Sequence, residues 1–144
     1  MSRKYFTLEE ANLLLPVMDQ ELRKLKELKQ QFEEKYLELR KQKELQQHTH
    51  DANGNTQSAV EGDPFFQMEA ELEFIQIEAR NHIQGFHRKG VELKDIDIGL
   101  VDFPAMLDGE EVLLCWRQGE ERINFYHSRN DGYSGRKPLY EDEE

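Results

Sequence analysis

The sequence predicts an α+β chain, mainly α. A long antiparallel helical hairpin, about residues 7–47 and 63–89, precedes a small three-stranded antiparallel β-meander, about residues 100–107, 111–117 and 122–128. Three observations predict this. Apolar residues recur at steps of three and four through both long segments, which is a helical seam. A polar stretch separates the two segments. Beyond Gly99 the apolar period drops to two, around two glycine-containing turns.

The first helix opens at "TLEE", with Thr7 as N-cap and Glu10 at the third helical position of a capping box. Phe6 precedes the cap, where a hydrophobic staple sits. Ala11, Leu15, Met18, Leu22, Leu25, Phe32, Tyr36 and Leu39 form the seam. Pro16 lies inside it. Proline lacks the N–H that would bond the Asn12 carbonyl, so a bend is expected there.

Residues 47–62 read as a flexible polar connector, ending the helix near Gln46. Two histidines within it, His48 and His50, make at most a loose metal site and more simply a solvated loop. Asp63 and Pro64 start the second helix as N-cap and first helical residue. Its seam is Phe65, Met68, Leu72, Ile75, Ala79, His82 and Phe86, and "HRKG" ends it with cations and a glycine cap at Gly90. His82 and His87, five apart, face different ways and do not share a metal. One hairpin cannot cover both of its seams, so a homodimer that completes a four-helix bundle is expected.

In the meander, Asp108-Gly109 suits a two-residue type I′ turn. Centring it there pairs Leu107 with Glu110, Ala105 with Val112, Phe103 with Leu114 and Val101 with Trp116. A second two-residue loop at Gly119-Glu120 pairs Trp116 with Ile123, Leu114 with Phe125 and Val112 with His127. Both turns together give one apolar face that ends in His127, since a slip of one residue would scatter it. The other face carries Leu100, Asp102, Pro104, Leu113, Cys115, Arg117, Arg122, Asn124 and Tyr126, and is expected to be half-exposed.

Two accounts of that polar face stand side by side. Asp102 and Arg117 form an ordinary diagonal ion pair, or Asp102 is a positioned acid with Arg117 as an anion anchor. Cys115 needs a neighbouring base to act as a nucleophile, and this register sends His127 to the opposite face, which argues against a Cys–His pair. His127 itself is either a packed core imidazole or part of a site with the tail "DGYSGRKP". There Gly132 and Gly135 free backbone N–H groups, Tyr133 stands close, and Arg136 and Lys137 supply cations. The candidate anion or ligand site is therefore His127, Tyr133, Gly135, Arg136, Asp102, Arg117 and Glu120. Neither a catalytic set nor a metal-ligand set is expected, and no cofactor motif such as G-x-G-x-x-G or H-E-x-x-H occurs.

The 144 residues suit a single domain with an acidic tail at 140–144. A net charge of −11 repels phosphate backbones, so nucleic acid and anionic membrane surfaces are not expected partners. The lone Cys115 forms no internal disulfide, and a free thiol suits a cytoplasmic location. Neither a signal-peptide run nor 18 consecutive apolar residues occurs.

"YFTLEEANLLLP", then "GLVDFPA", "LCWRQGEERI", "YH" and "GRKPL", resemble a bacterial family known as the domain of unknown function 2203. The resemblance spans nearly the whole chain apart from the connector. Its pattern falls on Gly99, Asp102, Phe103, Pro104, Trp116, Gly119, Glu120, His127, Gly135, Arg136 and Pro138, with Tyr126 where tryptophan is expected. It implies a helical hairpin with a small C-terminal β element, and neither activity nor cofactor.

Two functions are expected to compete. One is a non-enzymatic interaction protein that self-associates through its hairpin. The other is a small-molecule or anion-binding protein, a weak hydrolase-like enzyme included, with its site near His127 and Arg136.

Overall fold

The structure, a computed structural model, describes residues 4–53 and 63–140, the side chains of 48–53 excepted. The helices are α1 (Leu8–Leu13), α2 (Leu15–Asn53) and α3 (Phe66–Arg88). The strands are β1 (Glu92–Asp95), β2 (Leu100–Leu107), β3 (Glu110–Arg117), β4 (Phe125–His127) and β5 (Lys137–Pro138). The chain divides into two compact units. One comprises the residues up to Lys26 and those from His82 onward, and the other comprises Glu27–Asn81. Among the described residues no helix is long and apolar enough to cross a membrane.

The start of α1 follows from its sequence. The Glu10 N–H donates to Thr7 Oγ1 at 3.0 Å, and the Thr7 N–H donates to Glu10 Oε1 at 2.9 Å. Phe6 is buried against the sheet, its ring edge-on to Phe103 with centroids 5.4 Å apart. Its N–H donates to the Pro104 carbonyl at 2.7 Å. The Pro16 bend is a break at Leu14, where the Leu14 N–H turns to the Ala11 carbonyl at 3.1 Å before α2 begins.

Helix α2 runs to Asn53 rather than ending near Gln46. Neither glycine nor proline stands between Gln46 and Asn53, so nothing in that stretch stops the helix. The rest of the expected connector, residues 54–62, lies outside the described residues, as does the tail beyond Tyr140. Within the Glu27–Asn81 unit, Lys35 meets Glu71 at 2.8 Å and Lys43 meets Glu69 at 3.2 Å. Rising numbers on α2 meet falling numbers on α3, so the helices run antiparallel. Their buried seam here is Leu28, Leu39, Leu72 and Ile75. Phe32 and Tyr36 stack on each other at 6.2 Å instead of filling the seam, and Tyr36 is exposed. Asp63 accepts the Phe65 N–H at 2.9 Å ahead of α3. After α3, Gly90 takes φ +82° and the Val91 N–H reaches back to the Phe86 carbonyl at 3.0 Å, a left-handed cap.

The sheet has five antiparallel strands in the order β1-β2-β3-β4-β5, two more than expected. Strand β1 adds to the outer edge of β2, pairing Leu93 with Val101, and β5 pairs Pro138 with Phe125. The β2–β3 register is as expected throughout, from Leu107 opposite Glu110 to Val101 opposite Trp116. Asp108 and Gly109 both have positive φ, +52° and +82°, as a type I′ turn requires.

The β3–β4 register is not as expected. Leu113 pairs with His127, Leu114 with Tyr126 and Cys115 with Phe125. The two-residue closure at Gly119-Glu120 is replaced by a seven-residue connection, 118–124. Three contacts hold it open. The Trp116 indole donates to the Glu120 carbonyl at 2.9 Å, and the Arg117 N–H donates to Glu120 Oε1 at 2.8 Å. The Ile123 N–H donates to Asn12 Oδ1 at 2.8 Å, with the Ile123 side chain buried. A shift of one residue exchanges the faces of β4. His127 and Phe125 leave the face of Phe103 and Trp116 and join that of Asp102 and Cys115.

Both faces are covered. Val101, Phe103, Leu114 and Trp116 form the buried face that Phe6 joins. The second face, expected to be half-exposed, buries Leu100, Asp102, Leu113, Cys115 and His127. The tail packs over it: Arg136 Nη2 donates to the Cys115 carbonyl at 3.3 Å, and the Leu139 N–H donates to the Asn124 carbonyl at 2.8 Å.

Gly99 and Gly109 separate two costs of a side chain. Both have positive φ, but a Cβ on Gly99 would meet Gln118 Cβ at 2.6 Å whereas one on Gly109 meets nothing within 4 Å. Gly109→Ala should lose only the backbone preference, about 1 kcal/mol, and Gly99→Ala about 2 kcal/mol or more in urea denaturation.

Candidate functional site

The site lies on the second face of the sheet, between β2 and β4 and above β3. Asp102 stands directly opposite Cys115 on the neighbouring strand, so their side chains start close together. His127 stands opposite Leu113, one pair further along the same face. Its ring reaches across β3 and places Nε2 3.0 Å from Asp102 Oδ2. The His127 and Asp102 side chains are 3% and 2% exposed, so water does not screen this contact.

Hydrogen-bond chemistry fixes where the protons sit. His127 Nδ1 lies 2.7 Å from the Ser128 carbonyl, which can only accept. Nδ1 therefore carries hydrogen and donates. Nε2 then faces a carboxylate oxygen, and two bare acceptors do not sit 3.0 Å apart in a buried position. One proton is held between His127 and Asp102, on either partner. The pair is then neutral as a whole, which is how a buried acid and base avoid an uncompensated charge.

The rest of the cluster is chemically unsettled. Asp102 Oδ1 is buried and has no hydrogen-bond partner among the described residues. Burial pushes the Asp102 carboxyl above its usual range, opposed by the attraction of His127. Burial also pushes the Cys115 thiol up, to about 12, and the neighbouring Asp102 charge adds to that. Cys115 is thus a protonated thiol and not a resting nucleophile. The ligating atoms of Asp102, Cys115 and His127 all lie within 4.8 Å of one another.

These three residues form the floor of a cavity of about 240 Å³. Leu100 and Leu113 make its apolar side, and Lys94, Arg129 and Tyr133 stand at its rim. The rim cations are already engaged: Lys94 Nζ lies 2.9 Å from Glu92, and Arg129 lies 3.0 Å from Glu92 and 3.5 Å from Glu111.

Of the seven residues predicted from sequence, the fold brings Asp102, His127 and Tyr133 to this cavity, with Gly132 of the same tail segment. The others stand elsewhere. Arg136 lies over the rings of Phe125 and Tyr133, at 4.2 and 4.9 Å, and forks onto Glu120 at 2.8 and 2.9 Å. Arg136 and Glu120 therefore staple the tail to the 118–124 connection. Gly135 sits in a short 3₁₀ turn packed on Asp131, and Arg117 is exposed. The expectation that His127 and Cys115 lie on opposite faces is overturned by the β3–β4 register. Lys94 and Arg129 were missed. Alternation in "VELKD" was the available signal for β1 and hence for Lys94, whereas nothing local announces Arg129.

The family model described as "Uncharacterized conserved protein (DUF2203)" matches residues 4–139. No curated protein and no solved structure matches the chain.

In the native protein at pH 8, Cys115 should react with an aromatic disulfide reagent at least about 100-fold more slowly than in the urea-unfolded chain. Comparable rates would place the thiol outside a buried, charge-hostile site.

Proposed function

The chain belongs to the DUF2203 family, and from the geometry of its buried cluster we propose that it is a small-ligand-binding protein whose pocket is the Asp102–Cys115–His127 cavity. One observation carries this reading. A buried carboxylate oxygen, Asp102 Oδ1, has no donor among the described residues and belongs to a residue lining an open cavity. An unpartnered buried acceptor is costly, on the order of 1–3 kcal/mol, so folds that keep one commonly use it.

The chemistry of the lining selects the occupant. The rim cations are paired with Glu92, and Arg136 is committed to Glu120. Arg136 Nε, also buried without a partner among the described residues, lies outside the lining. Within it the free group is an acceptor, so the pocket suits a ligand that brings a donor or a positive charge rather than an anion. At about 240 Å³ it is smaller than the roughly 300–1,000 Å³ of pockets for drug-sized compounds, so the ligand is small.

A thermal-shift panel of small amines, amidines, amino acids and polyols tests this. A ligand at one hundred times its Kd should stabilise the protein by about 2.7 kcal/mol. Asp102→Asn should abolish that gain, and Arg136→Ala should leave it in place. A flat response across the panel, or a gain that survives Asp102→Asn, counts against this pocket.

Self-association is a second reading, supported by a separate observation. Phe66, Phe74 and Ile77 lie on one side of α3, exposed at 71%, 72% and 47%. A second copy laid along this stripe would cover it and complete a helical bundle. Sedimentation should then show a dimer that Phe74→Glu converts to monomer, and a wild-type monomer at micromolar concentration removes the reading.

A further inference from the structure

We propose that Asp102, Cys115 and His127 bind one divalent transition-metal ion, of which zinc fits best, in the floor of the cavity. The inference deepens the pocket reading above: the ion is itself the positive charge that the free Asp102 acceptor calls for, and a small ligand would reach its open position through a lone pair.

The donor set points to the metal. A thiolate sulfur, an imidazole nitrogen and a carboxylate oxygen are the three ligand types that zinc accepts. Magnesium and calcium prefer oxygen alone, and the sulfur disfavours them. Bond lengths of about 2.0–2.3 Å at tetrahedral angles put zinc ligands roughly 3.3–3.6 Å apart. His127 Nε2 and Asp102 Oδ2 already stand at 3.0 Å, and the whole set lies within 4.8 Å. Modest side-chain rotation closes the rest, because Asp102 and Cys115 are direct cross-strand partners.

The outer contacts fit as well. A metal-ligating histidine usually donates its other N–H to a carbonyl or carboxylate, which fixes the ring. His127 Nδ1 does this toward the Ser128 carbonyl at 2.7 Å, turning Nε2 to the cluster. Asp102 Oδ1 adds a second independent pointer, a buried ligand atom with no hydrogen-bond partner among the described residues. Three protein ligands leave the fourth position to the cavity, the pattern of sites that bind water or substrate.

Charge and protons balance. The ion replaces the proton shared by Asp102 and His127 and displaces the Cys115 thiol proton, so two protons pass to solvent per ion. Carboxylate, thiolate and neutral imidazole then surround a 2+ ion, and the buried site is formally neutral.

Cobalt(II) is the test, added to chelator-treated full-length protein. The expected result is a tetrahedral visible spectrum and a sulfur-to-cobalt charge-transfer band, both saturating at one equivalent per chain. Cys115 is the chain's sole cysteine, so that band reports this site alone. Cys115→Ser should remove the band in a protein whose circular dichroism is unchanged. A His48→Ala, His50→Ala double variant should keep it. A featureless octahedral spectrum in the wild-type protein overturns the proposal, whether or not the variants fold. Cobalt-negative protein that still binds a compound through Asp102 leaves the pocket reading standing. Cobalt-positive protein with a flat compound panel leaves only the metal site.

Discussion

Asp102 and His127 meet across β3 because seven residues, 118–124, connect β3 to β4. Side chains alternate between faces along a strand, so the connection decides on which side His127 emerges. A two-residue closure at Gly119-Glu120 would send it toward Phe103 and Trp116. The observed connection sends it to Asp102 and Cys115 instead. The parity is held by hydrogen bonds from Trp116 and Arg117 to Glu120, by the tie from Ile123 to Asn12, and by the Arg136 fork onto Glu120. Glu120 and Arg136, which read as ligand-binding candidates in the sequence, stand outside the cavity lining and join the tail to that connection.

Much of the fold was legible because local chemistry determined it. The Thr7–Glu10 capping box, the Gly90 cap and the Asp108-Gly109 turn each depend on a few adjacent residues and form as their sequence requires, whereas Asp63, expected as the N-cap, closes a turn ahead of α3, which begins at Phe66. Strand β5 is two residues long and exists only because the tail is tied back to β4, so no periodicity could announce it. The second turn failed for a related reason. Gly119 does take a positive φ, but its loop is shaped by Asn12, more than a hundred residues away in sequence. Long-range contacts of this kind override turn propensity and leave no local trace.

The site was legible in its members and not in its assembly. Asp102, Cys115, His127 and Tyr133 all stood out as chemically capable side chains. Their grouping required the register, and the wrong register separated His127 from the other two. Burial then changed their character. An aspartate read as either an ion-pair partner of Arg117 or a positioned acid on a half-exposed face is enclosed with an imidazole, one shared proton and an oxygen that has no donor among the described residues. In that setting the free acceptor and the silent thiol call for a donor or a cation, and Arg136, an anion anchor inferred from the glycine-rich tail, turns its Nη2 to Glu120 instead.

The most direct measurement is a double-mutant cycle on the pair that the register brings together, with Asp102→Leu, His127→Leu and both changes followed by urea denaturation. Removing one partner strands the other, while removing both strands neither. The account predicts that the double variant is more stable than the sum of the single losses implies, by at least about 1 kcal/mol. Additivity within about 0.5 kcal/mol would mean that His127 and Asp102 do not meet, and would return His127 to the opposite face of the sheet.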